Sequence, residues 1–199
     1  MAPNAASGLL PPPADIASRS LPVRRVRVLF RIHRSADACL YFSKNGDGRF
    51  DDPHGKYGVL YAGLEPEAAF AEVFLRQLSQ MLILESDLER RALSEIGCRA
   101  VDCVDLTGSG LRRLSCDNRV ATETPYRTPR LWSRSIFEHP QQPAGLIYLS
   151  RHNPRLKCVA IFDSYIHHLS VKSSEPLLRG SRRAWTIDQI ARYRLAIEP

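Results

Sequence analysis

Apolar residues in this chain fall in short blocks separated by stretches rich in glycine, proline and charge. Val26, Val28 and Phe30 alternate with Arg25, Arg27 and Arg31, a period of two that predicts a half-buried strand over about 23–32. Between Asp37 and Tyr57 lie Asn45-Gly46, Asp47-Gly48, Pro53 and Gly55, which predict loops and tight turns. Residues 59–62 read as a short strand. Pro66, flanked by Glu65 and Glu67, then marks a helix start: its fixed φ suits the first turn, and acidic groups favour the positive end of the helix dipole. That helix is expected over 66–78, with an extension to Leu84 left open, and Phe70, Phe74 and Leu78 would share one face.

Further along, residues 98–106 form a second strand candidate, and 127–137 a helix weakened near its start by Pro129. Residues 145–150 and 157–162 read as two strands joined through Arg151-His152-Asn153-Pro154. The stretch 184–197 fits helix or strand equally well. Strands and helices interleave without a regular β-α-β repeat, so the fold class expected is α+β in one domain. No internal repeat is present. Residues 1–22 are rich in Pro, Ala and Ser, including Pro11-Pro12-Pro13, and predict a disordered or loosely attached extension before a folded part over 23–199.

Composition narrows the picture only a little. At 44% hydrophobic and 25% charged residues, the chain has the balance of a soluble globular protein. No apolar run approaches the roughly 20 residues that span a bilayer, and the start lacks the pattern of a signal peptide, so a cytoplasmic protein without membrane contact is expected. The net charge of +7 is carried almost wholly by arginine. It suggests anionic partners, although no dense basic run marks a nucleic-acid tail. Five cysteines at irregular spacing, with no Cys-x-x-Cys pair, indicate neither a disulfide framework nor a zinc site.

Among single residues, Glu72 stands out as the one acid in Ala68-Ala69-Phe70-Ala71-Glu72-Val73-Phe74-Leu75. A carboxylate there must sit at the rim of the core or be paired, because an unpaired buried charge is costly. Its simplest structural explanation is a rim ion pair with Arg76, four residues on. Arg49, in a turn with Gly46 and Gly48, suits bidentate phosphate binding but also suits a plain hairpin connection. Arg31 fits an exposed strand position, and Ser150 fits a turn cap. The six histidines show no metal spacing, and neither a Gly-x-Ser-x-Gly elbow nor a P-loop occurs.

Taken in order, these residues say more. Leu29-Phe30-Arg31-Ile32, Gly48-Arg49-Phe50, Val59-Leu60-Tyr61-Ala62, Ala71-Glu72-Val73 and Gly145-Leu146-Ile147-Tyr148-Leu149-Ser150-Arg151 resemble the RES-domain family, over roughly Val28 to Asp163. Its name comes from an arginine, a glutamate and a serine, here Arg31, Glu72 and Ser150. The resemblance implies a mixed fold similar to ADP-ribosyltransferase toxins, with central β-sheets flanked by helices. It implies NAD+ as substrate and cleavage at the nicotinamide–ribose bond, by phosphorolysis before hydrolysis. It also implies a place in a toxin–antitoxin pair whose antitoxin carries a helix-turn-helix domain, so that nucleic acid is met only through that partner. Phe50 stands where the family usually has Trp, and stacking on an aromatic ring would survive that change. The proline-rich extension has no family counterpart.

Under that resemblance, Glu72 would stabilise an oxocarbenium-like transition state, as a carboxylate does in glycoside cleavage. Arg31 and Arg49 would hold pyrophosphate or incoming inorganic phosphate. Tyr61 would stack on nicotinamide, and Ser150 would hydrogen-bond ribose or phosphate. No metal or further cofactor is expected, and a homo-oligomer is left open. Two alternatives stand beside this reading: a protein ADP-ribosyltransferase using the same site, and, from the charge alone, a basic nucleic-acid-binding protein or RNase.

Overall fold

The structure, a computed structural model, describes residues 8–76 and 81–199. It is mixed α+β, as expected. Eight strands form: β1 (Val23–Arg34), β2 (Val59–Gly63), β3 (Leu82–Leu84), β4 (Arg91–Asp105), β5 (Gly145–Leu149), β6 (Lys157–Phe162), β7 (Leu169–Pro176) and β8 (Ala196–Glu198). Three longer helices, α1 (Pro66–Phe74), α5 (Arg127–Phe137) and α6 (Gly180–Arg192), pack beside them. Between them lie the short helices α2 (Glu85–Glu89), α3 (Ser109–Arg113) and α4 (Arg119–Thr122).

The main sheet runs β1-β2-β6-β5-β4-β7, and β4 pairs again with β1, so five strands close into a ring with β7 on the outside of β4. Period-two alternation divides β2, β5 and β6 between two apolar clusters. Leu60, Ala62, Ile147, Val159 and Ile161 face the inside of the ring with Val26, Leu29, Ile96 and Val101. Val59, Leu146, Tyr148, Cys158, Ala160 and Phe162 face outward, where Trp132 and Ile136 of α5 cover them. A third cluster, with Phe70, Leu88, Leu93 and Ile190, lies under α1 and α6.

Several expectations are corrected. The alternation in β1 does not run unbroken: Val26 pairs with Val101 but Val28 pairs with Gly97, so Cys98, Arg99 and Ala100 bulge opposite Arg27, with Ala100 at φ 56°. The bulge flips the inward face, so that Leu29 is buried and Val28 is exposed. Helix α1 ends at Phe74, and residues 82–84 form a strand that runs parallel to β8 instead of a continued helix; Leu78 lies outside the described residues. The strand expected from residue 98 starts at Arg91, because β1 and β7 pair along both of its edges. The ambiguous C-terminal stretch resolves into helix α6 followed by strand β8.

The extension is corrected as well. Residues 8–22 pack onto the domain: Leu9, Ile16 and Leu21 are buried in the outer cluster. Trp132 Nε1 donates to the Leu10 carbonyl at 2.9 Å, and His139 Nε2 bonds the Ile16 carbonyl at 3.1 Å. Proline-rich composition suppresses regular structure, yet three spaced apolar side chains suffice to tie the segment down.

Candidate functional site

Helix α1 crosses the ring at Gly63, where a Cβ would lie 2.6 Å from the Glu65 carbonyl and 2.7 Å from the Ala69 nitrogen. Glycine there and alanines at 68, 69 and 71 let the helix approach the sheet closely. Ala68 and Ala71 join the outer cluster while Ala69 and Phe70 join the third, so Glu72 emerges at the seam between them. Its carboxylate accepts a hydrogen bond from Ser150 Oγ at 2.7 Å. The ion pair with Arg76 does not form; Arg76 Nε donates instead to the main-chain carbonyl of Glu72 at 2.6 Å.

Ser150, at the end of β5, is buried, and its oxygen also accepts the backbone N–H groups of His152 and Asn153, each at 3.2 Å. A hydroxyl has one proton and two lone pairs, so Ser150 is fully engaged. It caps its turn and holds Glu72, and it is not among the residues that border the cavity described below. The Cys158 thiol lies beneath the pair. Burial, and then the neighbouring Glu72, push its pKa up, so it stays protonated.

The turn that carries Arg49 is held from three directions. Tyr61 Oη donates to Asp51 at 2.8 Å and accepts the Phe50 N–H at 2.8 Å, while Asp51 accepts the Gly48 N–H at 2.9 Å. A Cβ on Gly48 would sit 2.5 Å from both Asp51 Oδ1 and Tyr61 Oη, which is why glycine stands there. Arg130 of α5 donates to the Gly46 and Gly48 carbonyls. Arg49 in return donates to the Glu123 carbonyl at 2.6 Å and lies 4.4 Å from the centre of the Tyr126 ring. Tyr61 therefore locks the turn with its hydroxyl, a role the sequence did not indicate. Phe50 is fully buried, packed edge-on against Tyr148 at 4.8 Å between ring centres, so the stacking surface expected of it is a core contact.

Arg31 projects from β1 and donates through Nη1 to the carbonyls of Cys39 (2.6 Å) and Tyr41 (3.0 Å). Burial lowers the pKa of both Arg31 and Arg49, which means that the fold holds these guanidinium groups at an electrostatic cost.

Around these residues lies a cavity of about 480 Å³, bordered by Arg31, Arg49, Tyr61 and Glu72 of the expected set. That volume suits a small organic ligand, for which about 300–1,000 Å³ is usual. Tyr126, Tyr148, Arg151 and His152 also border it, none of which sequence reasoning singled out. They come from separate segments, so no local pattern groups them; only the position of Tyr148, Arg151 and His152 beside Ser150 hints at proximity. Tyr148 is deeply buried, and burial first, then Cys158 and Glu72, raise its pKa well above the usual phenol range, leaving a neutral O–H. A second cavity of about 750 Å³ adjoins the first and shares Arg31, Ile32, Val73 and Arg76 with it.

The electrostatic balance is lopsided. Arg31, Arg49, Arg76 and Arg151 border the first cavity, and among the described residues none of them pairs with a carboxylate. Of the acids there, Asp51 is taken up by Gly48 and Tyr61, and Asp47 accepts from Asn45 Nδ2 at 2.7 Å. Glu72 is the half-buried acid held on one oxygen by Ser150, whereas Asp47 is exposed. The site combines unpaired cations that can receive an anion with one oriented carboxylate.

Comparison with known proteins identifies the family and the fold. Residues 28–180 match the family model for the RES domain. A 92-residue stretch is 34% identical to a Sinorhizobium fredii protein described as "Probable toxin y4kH", covering 43% of this chain and 72% of that one. The fold is similar to a chain in the crystal structure of the M. tuberculosis MbcT–MbcA toxin–antitoxin complex, with TM-score 0.67, 14% identity, and coverage of 88% of this chain and 94% of that one. Since the family model spans most of the folded chain and takes in Arg31, Arg49, Tyr61, Glu72 and Ser150, the chain belongs to the RES domain family.

Proposed function

We propose that the protein is the toxin of a toxin–antitoxin pair and cleaves NAD+ at the nicotinamide–ribose bond, with inorganic phosphate as acceptor. The observation that carries this reading is Glu72, fixed by Ser150 at the edge of a cavity bordered by four arginines that have no carboxylate partner among the described residues. In NAD+ the nicotinamide nitrogen is cationic. The C1′–N bond therefore breaks with its electron pair moving to that nitrogen, and neutral nicotinamide leaves without a general acid. Positive charge develops on the ribose, and a carboxylate fixed beforehand stabilises it without reorganising. Arg49 and Arg31 suit the pyrophosphate, whose negative charge offsets the cost of burying them. An oxygen of phosphate then bonds to C1′.

The names of the two relatives support the toxin reading, and the MbcT–MbcA complex supports an antitoxin partner for this chain, for which a helix-turn-helix protein is our expectation. Among the described residues no helix is long and apolar enough to cross a membrane. A cytoplasmic location accords with NAD+ as substrate.

Purified protein incubated with NAD+, with and without phosphate, tests the reading. Phosphate-dependent release of nicotinamide together with ADP-ribose 1-phosphate is expected. Glu72→Gln should lower that rate about a hundredfold to a thousandfold while keeping the fold. Release that requires a protein acceptor would make the enzyme an ADP-ribosyltransferase, and no release under any condition would overturn the reading.

A further inference from the structure

His152 lies in the turn after β5 and borders the first cavity, but the chemistry above does not use it. Its main-chain N–H caps onto Ser150 Oγ at 3.2 Å, which ties the ring's position to the residue that orients Glu72. Its Nδ1 is buried and meets no donor or acceptor among the described residues. A buried N–H without a partner is rarer and costlier than a buried lone pair. The ring therefore leaves Nδ1 bare and carries its single proton on Nε2, for which the described residues also supply no partner.

The charged groups facing the ring are Glu72 from α1, Arg76 just beyond the end of that helix, Arg49 from the glycine turn, and Arg151 from its own turn. Burial foremost, with the three arginines opposing the pull of Glu72, keeps its pKa below the ordinary histidine range. At neutral pH the imidazole is uncharged and offers one N–H donor beside Arg49, Arg151 and the carboxylate.

We propose that His152 is a nucleophile-binding residue, whose Nε2–H donates to an oxygen of inorganic phosphate and holds it against C1′ of the ribose, favouring phosphate over water as acceptor. This rests on the NAD+-cleaving reading. A neutral donor suits this place because it grips the phosphate without adding a fourth positive charge next to the carbon that itself turns positive. The bond is charge-assisted and stronger than one between neutral groups. Water, with no charge to answer the arginines, gains less from the same donor. In the step itself the C1′–N electron pair goes to the nicotinamide nitrogen and a phosphate oxygen forms the C1′–O bond; His152 keeps its proton throughout.

The test measures nicotinamide release at varied phosphate and the ratio of ADP-ribose 1-phosphate to ADP-ribose. His152→Phe, which keeps an aromatic ring without the donor, should raise KM for phosphate about tenfold to a hundredfold. KM for NAD+ should be unchanged, and the product ratio should shift toward ADP-ribose. His152→Gln, whose amide nitrogen falls near the position of Nε2, should restore phosphate use; His152→Asn, whose amide falls near Nδ1, should not. An unaltered KM for phosphate and product ratio in His152→Phe would overturn the assignment while leaving NAD+ cleavage intact. Equal behaviour of the Gln and Asn variants would overturn it too. Failure of the wild type to release nicotinamide would remove the underlying reading and this inference with it.

Discussion

Ser150 shows why residues read one at a time undersell this site. Its simplest sequence explanation, a turn cap, is correct in the structure, where it accepts two backbone N–H groups. Its proton is then free for Glu72 alone, so the same geometry that ends β5 also fixes the carboxylate. Ser150→Ala should lower kcat about tenfold to a hundredfold, the usual loss when a group that orients an active ligand is removed. KM for NAD+ should stay near its wild-type value. Two half-buried backbone N–H groups lose their acceptor as well, so unfolding should become easier by about 1–2 kcal/mol, measurable by denaturant titration. A variant with lowered stability but unchanged kcat would leave Ser150 only its structural role. Glu72 and Arg49 draw notice in the sequence because one is an acid among apolar residues and the other directly follows two turn glycines. Tyr148 does not, because an aromatic residue inside an apolar strand is ordinary core until Glu72 is known to lie beside it.

At the scale of elements, the sequence is most legible where one period dominates. Helix α5 occupies the residues expected of it, with Trp132, Ser133 and Ile136 turned inward. Legibility fails where pairing with a distant strand overrides local pattern. The bulge opposite Arg27 depends on β4, and the short strand after α1 depends on β8, more than a hundred residues further along. The N-terminal segment fails for a similar reason: its proline content is visible, but the groove that takes Leu9, Ile16 and Leu21 is not. Each buried leucine or isoleucine contributes about 1.5–3 kcal/mol, with the upper figure set by an extended unfolded chain. Three of them rival the roughly 5–15 kcal/mol that keeps a domain folded. A chain beginning at Val23 would also strip the Trp132 and His139 side chains of their carbonyl partners. We expect that truncation to aggregate or to melt at least about 10 °C lower by circular dichroism, and an unchanged Tm would show that the packed segment adds nothing to stability.

Over the whole molecule, the net charge of +7 first suggests general attraction to anything anionic, yet the arginines differ in their surroundings: some pair with carboxylates, others such as Arg27, Arg112 and Arg155 are simply exposed, and a few gather at the cavity. Arg19, Arg25, Arg119 and Arg182 pair with nearby carboxylates at or near the surface, where ion pairs are worth little. Arg31, Arg49, Arg76 and Arg151 converge on one cavity without such partners among the described residues, from four segments that only the closed ring brings together. This concentration favours a small anionic substrate over the extended nucleic-acid track that charge alone would allow. It also has a signature in salt. Charges at the open mouth are screened over about 10 Å at 0.1 M ionic strength and about 3 Å at 1 M, whereas half-buried groups are screened less. Capture of anions should therefore weaken with salt while the chemical step, governed by Glu72 within the cavity, changes little. Raising NaCl from about 0.05 to 0.5 M should increase KM for phosphate severalfold and KM for NAD+ less, because phosphate carries more charge on a smaller body. The rate at saturating substrates should stay within about twofold. Equal salt effects on both KM values would mean that the arginines attract ligands in general, with no separate hold on the phosphate; a fall in the saturated rate instead would locate the salt-sensitive contact in the chemical step.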